Sequence, residues 1–198
     1  LEDSGAAVRM LPIARDTLPA LQLAFDLAAQ ADLIVTIGGA SIGDHDLVAT
    51  AGRTMGLKQA FYKVAMRPGK PLIFGSIGDT QVLGLPGNPV SALVCALIFM
   101  RPAIYRMLGL ANESAPELPA RIDRDLAAND ERQDYLRATL RSAPDGELSA
   151  SPFERQDSSM ISLLAQSEAL IVRPPFDPAV SAGDMVKVIP FSSDIPLI

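Results

Sequence analysis

Residues 32–37, DLIVTI, form a continuous apolar run that stops on Gly38-Gly39, and this run limits the available folds more than any other feature of the chain. A strand apolar at consecutive positions is one buried on both faces, as in a parallel sheet covered by helices. The flanking sequence agrees. Residues 6–11 read as another strand. Asp16 or Thr17 can then cap a helix whose first turn admits Pro19 and whose Leu18, Leu21, Phe25 and Ala28 share one face. A second helix is expected over residues 47–55, stopped by Gly56, followed by strands over 61–65, 71–74 and 81–85. A long helix follows Pro89, over residues 90–108. It is apolar on nearly every side and should be deeply packed, with Cys95 an inert small hydrophobe inside it. Short strands alternating with helices predict an α/β domain built on a mostly parallel sheet.

At Gly109 the pattern changes. Residues 111–119, ANESAPELP, have linker chemistry, so the chain divides into residues 1–110 and 111–198. In the second part Tyr135, Arg137, Thr139 and Arg141 alternate with Leu136, Ala138 and Leu140, and Pro144-Asp145-Gly146 turns the chain into residues 147–153 as a β-hairpin. A short helix over 161–164 and strands over 170–172 and 185–189 complete a small β-rich module.

Composition excludes several functions. With 48% hydrophobic and 20% charged residues the chain can build packed cores and is not disordered. A net charge of −6 disfavours nucleic acid as a partner. One cysteine and one histidine, Cys95 and His45, leave no internal disulfide and no Cys/His metal cluster. The acidic start and the lack of an uninterrupted apolar run near the ~18 residues of a membrane span predict a cytoplasmic protein without a membrane partner.

Three loops can carry chemistry. Residues 38–46, GGASIGDHD, follow the apolar run, at the strand end where α/β sheets bind ligands. Gly38, Gly39 and Gly43 allow close approach to the backbone, with Ser41 between them. Carboxylates beside a pyrophosphate need an intervening cation, so Asp44 and Asp46 point to Mg²⁺; the alternative is that Asp46 only caps the next helix. Residues 63–70, KVAMRPGK, set Lys63, Arg67 and Lys70 around a Pro-Gly turn, either as an oxyanion site or as a solvated surface turn. Residues 85–91, LPGNPVS, enclose Gly87-Asn88 between Pro86 and Pro89 ahead of Ser91 and a helix start, either to position a ligand or simply to turn the chain.

Taken together, GGASIGDHD, KVAMRPGKP and GLPGNPVSALV, with Asp134-Tyr135-Leu136-Arg137 and Gln156-Asp157-Ser158-Ser159 in the tail, resemble the molybdopterin molybdenumtransferase family, which includes the gephyrin E domain. The resemblance implies a three-layer pterin-binding α/β domain followed by a small β-barrel. It implies a reaction in which molybdate enters adenylyl-molybdopterin and AMP leaves, with a divalent cation, in a homodimer that can also contact the molybdopterin adenylyltransferase. By position, the family's functional acids fall on Asp16 and Asp46, its cationic pair on Lys63 and Arg67, and its barrel contacts on Arg137 and Ser158. Two positions depart from the pattern: Arg67 stands where many relatives carry Lys, and Asp157 where relatives often carry Gly. The opening regions of the family are not in the sequence, so the pterin domain reads as truncated and the 198 residues alone are expected to bind substrate but turn over little. Two rival readings are an adenylyltransferase of the same pathway, which lacks a β-rich tail, and a non-catalytic pterin-binding scaffold.

Overall fold

A computed structural model describes residues 1–39, 47–110, 116–144 and 146–191. The chain forms two compact units, one of Leu1–Val64 with Gly69–Glu113, the other of Ala65–Pro68 with Ser114–Ile198.

In the first unit α1 (Leu18–Ala28) starts where Thr17, in extended backbone, precedes Pro19 in the first turn. Proline tolerates that position because its missing N–H has no acceptor there. Phe25 and Ala28 of α1 meet Val48 and Ala51 of α2 (Leu47–Thr54) over Ile34 and Val82 of the sheet. The sheet comprises β1 (Leu33–Ile37), β2 (Lys58–Lys63), β4 (Pro71–Ile77) and β5 (Thr80–Leu85), in the order β1-β5-β4-β2. Only β1 and β5 run parallel; β5–β4 and β4–β2 are antiparallel, so the sheet is mixed where the sequence predicts mostly parallel. β4 and β5 are joined by the tight turn Gly78-Asp79, with Gly78 at φ 58°, and a two-residue connection forces antiparallel pairing.

Three expectations are corrected here. Residues 6–11 form no strand: Val8 and Met10 are exposed, and a strand persists only where a neighbour completes its hydrogen bonds. β1 is not buried on both faces. It lies at the sheet edge with Ile37 71% exposed, because an apolar run fixes burial only where partners cover both sides. The helix after Pro89 is deeply packed at its start and again only at Ile104. It runs as α3 (Pro89–Cys95), a π-helical turn (Ala96–Met100) and α4 (Arg101–Met107). Pro102 cannot donate to the carbonyl four residues earlier, which accounts for the change of helical register just before it. Val90, Val94 and Cys95 are fully buried, whereas Met107, Leu108 and Leu110 are exposed. The 19-residue stretch Pro89–Met107, of mean hydropathy 1.5, has the length and composition of a membrane span, although its first half is core.

Burial pushes the Cys95 thiol up to about 12. Since the thiolate is the reactive form, Cys95 should resist a thiol reagent in the native protein at near-neutral pH and react fully in denaturant. Rapid native labelling, followed by absorbance of the released chromophore, would contradict its placement.

In the second unit β7 (Gln133–Ser142), β8 (Leu148–Pro152), β6 (Leu118–Ile122), β10 (Met185–Pro190) and β9 (Ala169–Arg173) pair in that order, and β9 returns to β7, closing a five-stranded barrel. β3 (Met66–Arg67) pairs in parallel with the start of β7. α5 (Ile161–Ala165) lies between β8 and β9 in sequence. Ala120, Ala138, Ala150 and Ala169 interleave with Ile122, Ile171, Val186 and Val188 in the interior. A ring this small leaves space for side chains alone, and alternating small with β-branched residues fills it. Leu136, Ala138 and Leu140 face inward as the alternation predicts.

Candidate functional site

Because β1 and β5 are parallel neighbours, with Ile37 beside Leu85, both deliver their loops at the same end of the sheet. The Gly38 N–H donates to the Leu85 carbonyl at 3.1 Å. The two loops meet through glycine: a Cβ on Gly87 would lie 3.2 Å from the Gly38 Cα. Gly39 has φ +71°, and a Cβ there would lie 2.4 Å from Val48 Cγ2. Positions 38 and 87 are thus joined by bare backbone at a strand end, where ligands of α/β sheets sit.

Asn88 is the N-cap of α3, its Oδ1 accepting from the N–H groups of Val90 (3.1 Å) and Ser91 (3.3 Å). That use of Asn88, with Pro86 and Ser91 both buried, makes residues 86–91 a rigid turn that presents Gly87. Asp16 is exposed, immediately before the Thr17 cap. Ser41, Gly43, Asp44 and Asp46 lie outside the described residues. Among the described residues no group of three or more His, Cys, Asp or Glu could hold a metal ion.

The cationic loop is divided between the units. Lys63 and Lys70 belong to the first, where the Val64 N–H donates to the Lys70 carbonyl at 3.1 Å and closes the excursion between them. Both side chains are exposed, and the Lys63 ammonium lies 5.1 Å from the centre of the Tyr62 ring. Arg67 belongs to the second. Its Nη2 donates to Asp134 Oδ2 and its Nη1 lies 3.4 Å from Asp130 Oδ2. Asp130 is also bound by the Arg132 N–H at 2.9 Å and by Arg132 Nη2 at 2.6 Å, and these bonds hold its carboxyl down at about 2.

Arg137 takes a different place from the oxyanion contact that the resemblance implies. It lies on the outward face of β7, yet it is 1% exposed because residues 153–160 fold over it. Its Nη1 donates to the Met160 carbonyl at 3.0 Å and its Nη2 to those of Asp157 at 2.9 Å and Arg155 at 3.4 Å. The guanidinium therefore organises the loop bearing Ser158 instead of facing solvent. Gln156 completes the tie, accepting from the Arg137 N–H at 2.9 Å and donating to the Arg137 carbonyl at 3.0 Å, as a neighbouring strand would. Ser158 is half-buried in the turn, and the Asp157 carboxylate accepts from the N–H and hydroxyl of Ser159, which lowers its pKa. Asp130, Asp134 and Gln156 carry no role in the sequence reading. For Asp134 the available signal is its place on the same face of the alternating β7 as the inward Leu136, Ala138 and Leu140, where an acid is out of pattern.

A glycine-paired strand end on a mixed α/β sheet, followed in the chain by a small closed barrel, is the architecture of an α/β ligand-binding unit with a barrel module after it. Residues 1–106 match the family described as "Probable molybdopterin binding domain" and residues 119–191 the "MoeA C-terminal region (domain IV)". The chain belongs to this molybdopterin-binding family. It is 33% identical over 165 residues to a molybdopterin molybdenumtransferase of Haemophilus influenzae, covering 83% of this chain and 41% of the relative. It is also 33% identical over 196 residues to molybdopterin molybdenumtransferase 2 of Mycobacterium tuberculosis, covering 95% and 47%. The crystal structure of a molybdopterin biosynthesis MoeA protein from Pyrococcus horikoshii superimposes with a TM-score of 0.74 at 25% identity, over 91% of this chain and 42% of that one. The chain thus spans less than half the length of these relatives.

Proposed function

We propose that this protein is a molybdopterin molybdenumtransferase, inserting molybdate into adenylyl-molybdopterin with release of AMP. The observation that carries the reading is the succession, in one chain, of the molybdopterin-binding unit and the MoeA-type barrel found in relatives of that name. The barrel argues against the adenylyltransferase alternative. On this reading the Gly38–Gly87 edge of the first unit admits the ligand close to the backbone, and the exposed cations, Lys63 and Lys70 in that unit and Arg67 in the barrel unit, are each donors of charge-assisted hydrogen bonds to an oxyanion. Arg137 acts one step back, holding the Ser158 loop. Asp44 and Asp46 are hard oxygen donors of the kind Mg²⁺ takes, and the ion would neutralise charge developing on the phosphate as AMP leaves. The same reading places the protein in the cytoplasm as a homodimer that meets the molybdopterin adenylyltransferase, its substrate's source.

The test is AMP release by the complete protein from adenylyl-molybdopterin with molybdate and Mg²⁺. Asp46→Ala is expected to lower release at least about 10²-fold. Equal release by both proteins removes the metal seat from Asp46; no release by either favours the scaffold reading.

A further inference from the structure

Arg67 is held unequally by its two carboxylates. The side chain of Asp134 is 5% exposed; Oδ2 accepts from Arg67 Nη2, and the buried Oδ1 has no partner among the described residues. A buried carboxylate with one bare oxygen is costly, so the Arg67 ion pair is what makes its burial tolerable. The pairing of β3 with β7 sets Arg67 directly beside Asp134, so the backbone reinforces this contact. Asp130 differs in each respect. It is 43% exposed, it stands 3.4 Å from Arg67 Nη1, and it is already satisfied by Arg132 through three hydrogen bonds.

We infer that Asp134 is a positioning residue that anchors one side of the Arg67 guanidinium, while Asp130 is a counter-charge that an incoming tetrahedral oxyanion displaces from the other side. The inference rests on the reading of Arg67 as an oxyanion ligand. The planar fork lets one residue be anchored and bind ligand at once, which an ammonium, as a point charge, does less well; this gives Arg at position 67 a physical reason. Arg67 is 48% exposed, so its far side is reachable. Asp130 loses little on displacement because Arg132 keeps it paired.

The experiment is molybdate binding to the complete protein by titration calorimetry, with unfolding curves recorded for each variant. Asp130→Asn removes the competitor and is expected to tighten binding about threefold. Asp134→Asn, nearly isosteric, loosens the anchor and is expected to weaken binding about tenfold. A purely electrostatic influence of the two acids tightens binding in both variants, and a purely structural one changes neither; either result overturns the inference. If Asp134→Asn does not fold, Arg67→Lys takes its place: it keeps the charge but not the fork, so weaker binding is expected, and binding equal to wild type overturns the inference. Arg67→Gln separates the underlying reading: binding equal to wild type, or none by wild type, removes Arg67 from the oxyanion site. Weaker binding by Arg67→Gln with no effect of Asp134→Asn removes only the anchoring role.

Discussion

Replacing Gly39 with valine is expected to destabilise the α/β unit by about 3 kcal/mol. About 1–2 kcal/mol comes from a β-branched residue held at positive φ, and the rest from overpacking. Gly39 has φ +71°, and even a bare Cβ would reach 2.4 Å from Val48 Cγ2, on the first turn of α2. Relief requires Val48 to leave its rotamer or α2 to shift from the sheet, and either loosens the packing of Val48 against Ile34 and Val82. Urea unfolding monitored by circular dichroism measures the effect; a loss below about 1 kcal/mol means that the loop can relax without moving the helix. Gly56→Ala, where nothing lies within 4 Å of the added methyl, tests the backbone contribution alone, because Gly56 also has positive φ.

The second large effect is expected at Arg137. Arg137→Met keeps much of the aliphatic stem but leaves the carbonyls of Arg155, Asp157 and Met160 without their donor. Each orphaned carbonyl costs on the order of 1–3 kcal/mol, part of it offset because a buried charge is also removed, so the barrel should lose about 3 kcal/mol. Burial lowers the pKa of Arg137, the direction expected of a cation drawn from water into a carbonyl-lined site. Hydrogen exchange distinguishes this role from an exposed anion contact. Residues 153–160 should lose protection in Arg137→Met and regain part of it in Arg137→Lys, which offers donors without the fork. Unchanged exchange in that loop would refute the organising role.

Local signals account for what was legible. Pro19 and the 3.6-residue spacing of apolar positions locate α1, and two-residue alternation followed by a Pro-Asp-Gly turn locates the β7–β8 hairpin. The run into Gly38-Gly39 marks the ligand end of β1, and the motif order marks the family before any coordinate is known. Less was legible where burial depends on another part of the chain. Residues 6–11 have strand-like composition but no described pairing partner. Arg137 alternates as an exposed residue should, yet residues 153–160 cover it. Residues 63–70 look like one cationic turn, yet Arg67 joins the barrel and Lys63 and Lys70 do not.

Within the amino-acid order itself lay the helix starts, the strand periods, the turn positions and the loop chemistry, because each depends on residues within a few positions of one another. Tertiary structure alone decided which strand is an edge, which arginine is buried and which carboxylate holds Arg67. Asp134 lies 67 positions from Arg67. Its charge takes effect only when the closed barrel brings β7 beside β3, since Coulombic and hydrogen-bond energies act over ångströms and not over sequence.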